Sequence, residues 1–455
     1  VDAGAAAPQW SAAAIQALPP LADPSFPAAL HALQASTPGE RAAQARLQSA
    51  REGLEGWGTA SDADLATWAD GASDLPLRAL GPLALLRPPT VAAFHHGSPL
   101  PPPADTSKLD DHLEDQAIQV AFCDPAGRRY VTVGHRTLKL WSWPATLEKS
   151  VALPASWTLT QCLVVQPQAE RVFLGGRQEV PKPFDPGRIV RNAALASYAL
   201  GNAEVELHEE LSGVLQRDRV QALALHDDVL VCGTNKGYLT VFHARNTLEL
   251  VARGELPDNV NARGLAFLDD PTHFYAASGD DSDPLYGLYR YRIEHALCEL
   301  DATEVELEHP RRDLRVFTSL ASCPPYGLYV GQSGEGTVVR YGAEQRKDVF
   351  VDPRCGRAHG RSAVALAAAP QRGWLVSASG WAEWEADDAD DVVRGGRLPG
   401  EPATLCVWDL ETSTLLGRFA GLHPQDGFSS VAVTPDGSRV LAGTACGDVL
   451  GWALE

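Results

Sequence analysis

Short blocks of apolar residues recur along most of this chain, and turn-forming residues separate them. The clearest copy lies near the C-terminus and consists of blocks that end at Trp408, span Thr414 to Ala420, Ser429 to Thr434 and Arg439 to Thr444, and end again at Trp452. Each block is about five residues long, which is the usual length of a β-strand. Gly421 and the Pro435-Asp436-Gly437 run supply the backbone conformations that tight turns need. The pattern predicts a four-stranded β unit that repeats.

An aromatic residue closes the third strand of every unit. These anchors are Trp141, Tyr198, Phe242, Tyr291, Tyr341, Trp408 and Trp452. The shortest spacing is close to the ~40 to 45 residues of one propeller blade, and longer spacings indicate insertions. The second strands, such as Val229 to Thr234, are almost continuously apolar, as expected when neighbours cover both faces of a sheet. Seven anchors predict seven units, with the aromatic side chains packed between them.

The last unit resembles a WD repeat, and the resemblance weakens from residue 405 back toward residue 85. It implies an all-β fold over residues 85–455, a seven-bladed β-propeller of four-stranded antiparallel blades. The family holds each blade with a His, a Ser or Thr, an Asp and a Trp. The last blade offers His423, Thr444 and Trp452, but Cys446 stands where the Asp is expected, and no blade has the complete set. The resemblance also implies closure by an N-terminal strand, at about residues 86–94.

Residues 1–84 differ in composition from the rest of the chain. Blocks of helical length, rich in Ala, Leu and Gln, are separated by Pro and Gly. Pro38 and Glu40 are typical of the first turn of a helix. Short helices bury little apolar surface by themselves. We therefore expect a small helical region that docks on the propeller, with docking on a partner as the alternative.

Three blades carry extended connections between their second and third strands. These inserts span 177–191 in blade 2, 279–284 in blade 4 and 381–400 in blade 6. In WD repeats such turns lie on one face of the disc, and loops on a rigid scaffold often carry recognition. The candidate partner-binding residues are Trp381, Trp384, Glu383, Glu385, Asp387, Asp388, Asp390, Asp391, Asp280, Asp281, Phe184 and Arg188. The alternatives to partner binding for the acidic blade 6 insert are a solvated loop and a Ca²⁺ site, although the insert lacks the ligand spacing of an EF-hand loop.

The charge balance narrows the class of partner. The 455 residues include 58 acidic and 38 basic side chains, for a formal charge of −20. Nucleic acids and anionic membranes attract Lys and Arg, so neither is expected as a partner. Another protein with a basic or mixed surface is expected instead, bound through the aromatic and acidic insert.

Other sequence features indicate a cytoplasmic location. The 8 Cys residues include no CxxC pair, so they predict neither a zinc site nor a disulfide framework. No apolar run long enough for a membrane helix and no intact secretory signal is visible. Abundant Ala and the absence of Met are typical of a GC-rich bacterial genome.

Local signatures of catalysis are missing as well. The sequence has no GxSxG elbow, HExxH pair, P-loop or GxGxxG run after a strand. We expect no cofactor, no metal and no enzymatic activity. The predicted function is a non-catalytic protein-interaction scaffold that uses the rim with the extended loops. The alternative is an enzyme or small-ligand propeller with its site at the central channel.

Overall fold

The computed structural model describes residues 92–96 and 117–454, apart from gaps at 135, 183–184, 209–214, 216–218, 246, 258–259, 269, 280–286, 295–298, 305–316, 333–335, 342–346, 351–357, 360–361, 381–402, 420–426 and 446. The predicted helical region lies outside these described residues. Residues 280–284 of the blade 4 insert and the whole blade 6 insert lie outside them too.

The described strands form the predicted seven four-stranded blades, and strands a, b, c and d of each blade run from the channel outward. The outer strands of blades 3 and 4 also pair with each other in parallel, at Arg253 opposite Glu299. Blades 1 to 4 contain β2 (Gln119–Phe122), β3 (Arg129–Gly134), β4 (Thr137–Ser142) and β5 (Thr146–Ala152); β6 (Trp157–Gln166), β7 (Arg171–Lys182), β8 (Asp185–Ala199) and β9 (Glu206–Leu207); β10 (Val220–His226), β11 (Val229–Thr234), β12 (Tyr238–Ala244) and β13 (Leu248–Glu255); and β14 (Asn261–Phe267), β15 (His273–Gly279), β16 (Leu288–Glu294) and β17 (Glu299–Glu304). A 3-10 turn at Pro167–Ala169 joins β6 to β7.

The remaining strands complete the ring. Blades 5 to 7 contain β18 (Phe317–Cys323), β19 (Gly327–Gln332), β20 (Val338–Tyr341) and β21 (Lys347–Phe350); β22 (Ala363–Ala369), β23 (Trp374–Ser379), β24 (Leu405–Asp409) and β25 (Thr414–Phe419); and β26 (Phe428–Val433), β27 (Arg439–Thr444), β28 (Asp448–Ala453) and β1 (Ala92–His95). Every inner strand contacts the inner strands of both neighbouring blades, and β26 contacts β2. The propeller is therefore closed.

The closing strand comes from the N-terminal side, as the resemblance implied. β1 pairs antiparallel with β28, from Ala92 opposite Gly451 to His95 opposite Asp448. The described strand covers residues 92–95, whereas the sequence suggested about 86–94. β1 occupies the outer edge of blade 7, which otherwise presents unpaired N–H and C=O groups.

Hydrogen bonds also cross the seam between blades 7 and 1. The N–H of Ile118 donates to the Thr444 carbonyl at 3.1 Å. The Ile118 carbonyl accepts from the hydroxyls of Ser429 at 2.7 Å and Ser430 at 2.6 Å. The first and last blades are thus held to each other by polar contacts beside the channel as well as by β1 at the rim.

The apolar core is divided among the blade interfaces. Buried side chains of the described residues form seven clusters, and each cluster joins two neighbouring blades. In β27, Val440 and Ala442 belong to the interface with blade 6, whereas Leu441 belongs to the interface with blade 1. Alternating side chains of one strand therefore enter two different cores. This arrangement explains why the b strands are apolar throughout rather than at every second residue.

Candidate interaction surface

The two faces of the disc differ in the connections they carry. Because successive strands of a blade are antiparallel, the b–c and d–a connections lie on one face, called here the b–c face. The a–b and c–d connections lie on the opposite face. The longest described projection on the b–c face is the insert of blade 2.

This insert is a β-hairpin rather than an irregular loop. β7 and β8 continue past the body of the blade and remain paired from Arg171 opposite Ala199 to Lys182 opposite Asp185. The ladder is regular as far as Pro181 opposite Ile189. We call residues 177–191 the blade 2 arm. Pro and Gly residues in the sequence indicated a turn, but those residues lie near the tip, and the strands extend up to it.

The core supports the base of the arm. β6 is also long, and its first residue, Trp157, pairs with Gln178. The Trp157 indole is 1% exposed and packs in the interface between blades 1 and 2. Its Nε1–H donates to Thr160 Oγ1 at 2.9 Å. Gly176 allows β6 to approach closely, because an added Cβ would lie 1.9 Å from the Leu159 carbonyl oxygen. The arm is therefore a continuation of a rigid sheet.

The outer part of the arm is exposed to solvent. Ile189 is 60% exposed, the most exposed large apolar side chain among the described residues. Arg188 beside it is exposed, as are Pro181 and Lys182 on the other strand. Arg191 Nε donates to Glu179 Oε1 at 3.0 Å across the two strands. An apolar side chain flanked by cations is thus presented to solvent.

The central channel is lined by the seven a strands. None of these strands, β2, β6, β10, β14, β18, β22 and β26, contains an Asp or Glu. Bulges displace one residue near the b–c end of several of them, for example Gln221 in β10, Arg263 in β14 and Thr318 in β18. The displaced residues near this face thus include polar side chains, whereas carboxylates are absent from the seven a strands.

Two blades contain a buried chain of polar side chains. In blade 6, Trp408 Nε1–H donates to Ser377 Oγ at 2.7 Å, and Ser377 Oγ lies 2.7 Å from His359 Nε2. His359 Nδ1 then lies 2.6 Å from Thr404 Oγ1. Burial and the nearby Arg418 lower the pKa of His359 from about 6.5 to about 3. The imidazole is therefore neutral at pH 7, and it connects strands b and c with the preceding d–a connection.

Blade 1 repeats this arrangement with the segment that follows β1. Trp141 Nε1–H donates to Thr132 Oγ1 at 2.8 Å, and His96 Nδ1 lies 2.8 Å from the same oxygen. His96 Nε2 lies 3.0 Å from Thr137 Oγ1. The closing segment is thereby attached to blade 1 as well as to blade 7.

Known proteins resemble this chain in structure but not in sequence. No protein-family model matches the sequence, and no curated protein matches it. Among solved structures, the chain is similar to the crystal structure of the WD40 β-propeller domain of Doa1, with a TM-score of 0.53 and 12% sequence identity. The match covers 80% of this chain and 98% of that one.

The chain has the WD40 β-propeller fold. The seven anchors all lie on c strands: Trp141, Tyr198, Phe242, Tyr291, Tyr341, Trp408 and Trp452. Six of them are buried, and Tyr341 is partly exposed. Their backbone positions match the repeat that the sequence pattern predicted.

The hydrogen-bonded group that the sequence suggested for blade 7 is only partly described. In blade 7, Thr444 Oγ1 accepts the N–H of Asp448 at 3.1 Å, and His423 lies outside the described residues. Ala442 is the residue of β27 that corresponds to Thr132 in β3 and Ser377 in β23. The described groups of blades 6 and 1 contain no Asp. Instead, Thr404 contacts His359 Nδ1 in blade 6, and Thr137 contacts His96 Nε2 in blade 1.

Sequence reasoning did not assign His96. Its position directly after the closing strand was the available signal, because this connection leads from strand d of blade 7 to strand a of blade 1. The partners Thr132 and Thr137 lie on two further strands, so proximity along the chain did not reveal the group. The closure of the ring brings these residues together.

The predicted partner-binding residues are only partly described. Arg188 lies exposed on β8 of the blade 2 arm. Phe184, Asp280, Asp281 and the whole blade 6 set from Trp381 to Asp391 lie outside the described residues. Within the described part of the WD40 propeller, no group of three or more His, Cys, Asp or Glu is placed to hold a metal ion. The same part includes no helix with the length and apolarity required to cross a membrane.

Proposed function

We propose that this WD40 propeller is a non-catalytic scaffold that binds another protein through its b–c face. The observation that carries the proposal is the blade 2 arm, a sheet-supported projection with Ile189 60% exposed at its outer part. Recognition elements on a closed scaffold lose little conformational freedom when a partner binds, which favours affinity.

The acidic inserts extend the proposed surface. Trp381 and Trp384 are proposed as anchors, with Glu383, Glu385, Asp387, Asp388, Asp390 and Asp391 around them and Asp280 and Asp281 in blade 4. Aromatic anchors supply most of the binding energy in many interfaces, and charges mainly accelerate association. A partner with basic or mixed surface charge fits this composition, and the cytoplasm is its proposed location.

The alternative of a catalytic channel has less support. General acid–base chemistry commonly uses a pair of carboxylates or a histidine with a perturbed pKa. The a strands supply no carboxylate, and His359 is engaged in the hydrogen-bonded chain of blade 6. The scaffold proposal therefore agrees better with the residues that face the channel.

Affinity capture with mass spectrometry tests the proposal. The full chain is compared with two variants of the same face. One replaces residues 381–400 by a short Gly turn, and the other replaces residues 179–191 by Asn-Gly, which suits a two-residue hairpin between the paired residues Gln178 and Asn192. Arg128→Glu, which changes an exposed arginine at the a–b turn of blade 1, is the control for the opposite face.

The expected result is a stoichiometric partner that the full chain and Arg128→Glu retain and at least one loop variant loses. Equal capture by all four proteins, or no stoichiometric partner for any of them, would refute the use of the b–c face.

A further inference from the structure

The outer edge of β8 is open along the arm. In blade 2, strand d is only the two-residue β9, whereas strand d has 7 residues in blade 1 and 8 residues in blade 3. β9 pairs only with Ala196 and Ser197 of β8. The His208 N–H adds a bond to the Leu195 carbonyl at 3.0 Å. Among the described residues, the arm section of β8 therefore has β7 on one side and no strand on the other.

The register shows which backbone groups point outward. Because the Leu195 carbonyl faces the β9 side and the ladder with β7 is regular to Ile189, the N–H and C=O groups of Arg191 and Ile189 face the same outer side. The Glu179 N–H donates to the Ser156 carbonyl at 2.7 Å, away from β8, and Glu179 is paired with Arg191. The hydrogen bond at Leu195 and the one at Glu179 therefore give the same result: the backbone groups of Ile189 and Arg191 point away from β7.

The two edges of the arm are not equivalent. Pro181 is two residues beyond Glu179 on β7, so it occupies the next position that would point an N–H away from β8. Proline has no N–H and is a common means of blocking a sheet edge. On β8 the corresponding outward residue opposite Pro181 is Ile189, which keeps its N–H. Of the two edges of the arm, only the β8 edge therefore offers both N–H donors and C=O acceptors to an added strand.

The charge of the arm favours an acidic strand. Its basic residues outnumber its acidic ones: Arg177, Lys182, Arg188 and Arg191 against Glu179 and Asp185. The arm is thus locally basic in a chain with a formal charge of −20. A second copy of the arm would bring Arg188 and Arg191 near their own counterparts, and like charges on adjacent strands are unfavourable. An acidic partner meets opposite charge instead.

We propose that the β8 edge at Ile189 to Arg191 binds an extended acidic segment of a partner protein by β-strand addition. The segment pairs with the outward backbone groups of Ile189 and Arg191 and places an apolar side chain against Ile189. Its carboxylates lie on the other face of the added strand, near Arg188. Backbone pairing supplies affinity in this mode of recognition, and alternate side chains supply specificity. This inference rests on the proposed function and specifies the partner chemistry for one part of the face.

A capped, fluorescein-labelled peptide of alternating Glu and Val is the probe. Fluorescence anisotropy measures its binding to the full chain, and amide hydrogen exchange measures protection at Ile189 and Arg191. Saturable binding that weakens with added salt, with slower exchange at both amides, is expected. No binding at about millimolar peptide, the range of weak complexes, would overturn the proposal.

Two protein variants separate the backbone group from the side chain. Ile189→Pro removes the outward N–H without removing a bond of the β7–β8 ladder, whereas Ile189→Ala keeps that N–H and removes only the apolar contact. Ile189→Pro is expected to weaken binding at least about tenfold, equivalent to about 1.4 kcal/mol, and more than Ile189→Ala does. Equal binding by Ile189→Pro and the unaltered protein would exclude strand addition.

Changes to the peptide test the same point without any change to the protein. A peptide with Pro at alternate positions lacks the necessary N–H groups and should not bind. A Lys–Val peptide should bind more weakly than the Glu–Val peptide, and Arg188→Glu should reverse that order while Arg128→Glu should not. Binding of the Pro-containing peptide at full strength would contradict backbone pairing, and a preference for the Lys–Val peptide would contradict the acidic partner.

The capture experiment distinguishes this inference from the broader function. A partner that is retained by Ile189→Pro but lost when residues 381–400 are replaced would leave the scaffold function intact and refute the β8 site.

Discussion

The buried histidine of blade 6 predicts how the stability of the propeller depends on pH. The Trp408 indole can only donate, so Ser377 accepts from it and its own hydroxyl donates to His359 Nε2. Nδ1 then carries the proton and donates to Thr404. A second proton on the imidazole would remove the acceptor for Ser377 and place a charge in the core. The native state therefore resists protonation of His359.

The size of the effect follows from the two pKa values. The pKa of His359 is about 3 in the folded chain against 6.5 in the unfolded one, so between these values only the unfolded chain binds the proton. Stability is therefore lost as the pH falls below about 6.5, at a limiting rate of about 1.4 kcal/mol per pH unit. From pH 7 to pH 5 this amounts to about 2 kcal/mol. Asp270, with a folded pKa of about 2, contributes stability that is lost only at lower pH.

Urea unfolding followed by tryptophan fluorescence at pH 7 and pH 5 measures this effect. His359→Gln is the comparison, because an amide donates and accepts without titrating. The unaltered chain should lose about 2 kcal/mol more than the variant does over this interval. Contributions of the other titratable groups occur in both proteins and cancel. Equal losses would show that His359 titrates normally in the folded chain and would refute the interpretation of the blade 6 group.

Three further predictions concern the core. Ser377→Ala removes the hydrogen-bond partner of both the Trp408 indole N–H and His359 Nε2, so it should lower the free energy of unfolding by about 2 to 4 kcal/mol. Urea unfolding at pH 7 measures this loss, and a value below about 0.5 kcal/mol, typical of surface changes, would contradict the prediction. Gly443→Ala should lower the melting temperature, because the added Cβ would lie 2.2 Å from the Ile118 carbonyl oxygen. Gly201→Ala is the control, because no atom lies within 4 Å of its added Cβ, and equal melting temperatures for the two variants would contradict close packing at the seam. The Cys232 thiol is fully buried, and that burial raises its pKa, so iodoacetamide should modify it in urea and not under native conditions. Peptide mass spectrometry measures the labelling, and rapid labelling of the native protein would contradict the burial of Cys232.

The blade arrangement could be predicted from sequence because its signals are local. Strand length, turn residues and the aromatic end of each c strand all lie within one unit, and Arg439–Thr444 is a strand with the bounds that the pattern suggested. The closing strand was predicted by resemblance, and its pairing with β28 is present in the structure. In contrast, the blade 2 arm was expected only as an extended turn. Its prolines and glycine indicated where the chain reverses but not how far the flanking strands remain paired.

The sequence by itself determined the number of blades, their strand order and the division of polar and apolar positions, since these depend on residues within about 40 to 45 positions of one another. Only the tertiary structure decided which residues meet across the seam and which edge stays open. His96 reaches Thr132 because the ring closes, and Ile118 accepts from Ser430 for the same reason. The open edge of β8 depends on how few residues of β9 pair with it. Such contacts join segments distant in the chain, and their geometry is set by the packing of whole blades.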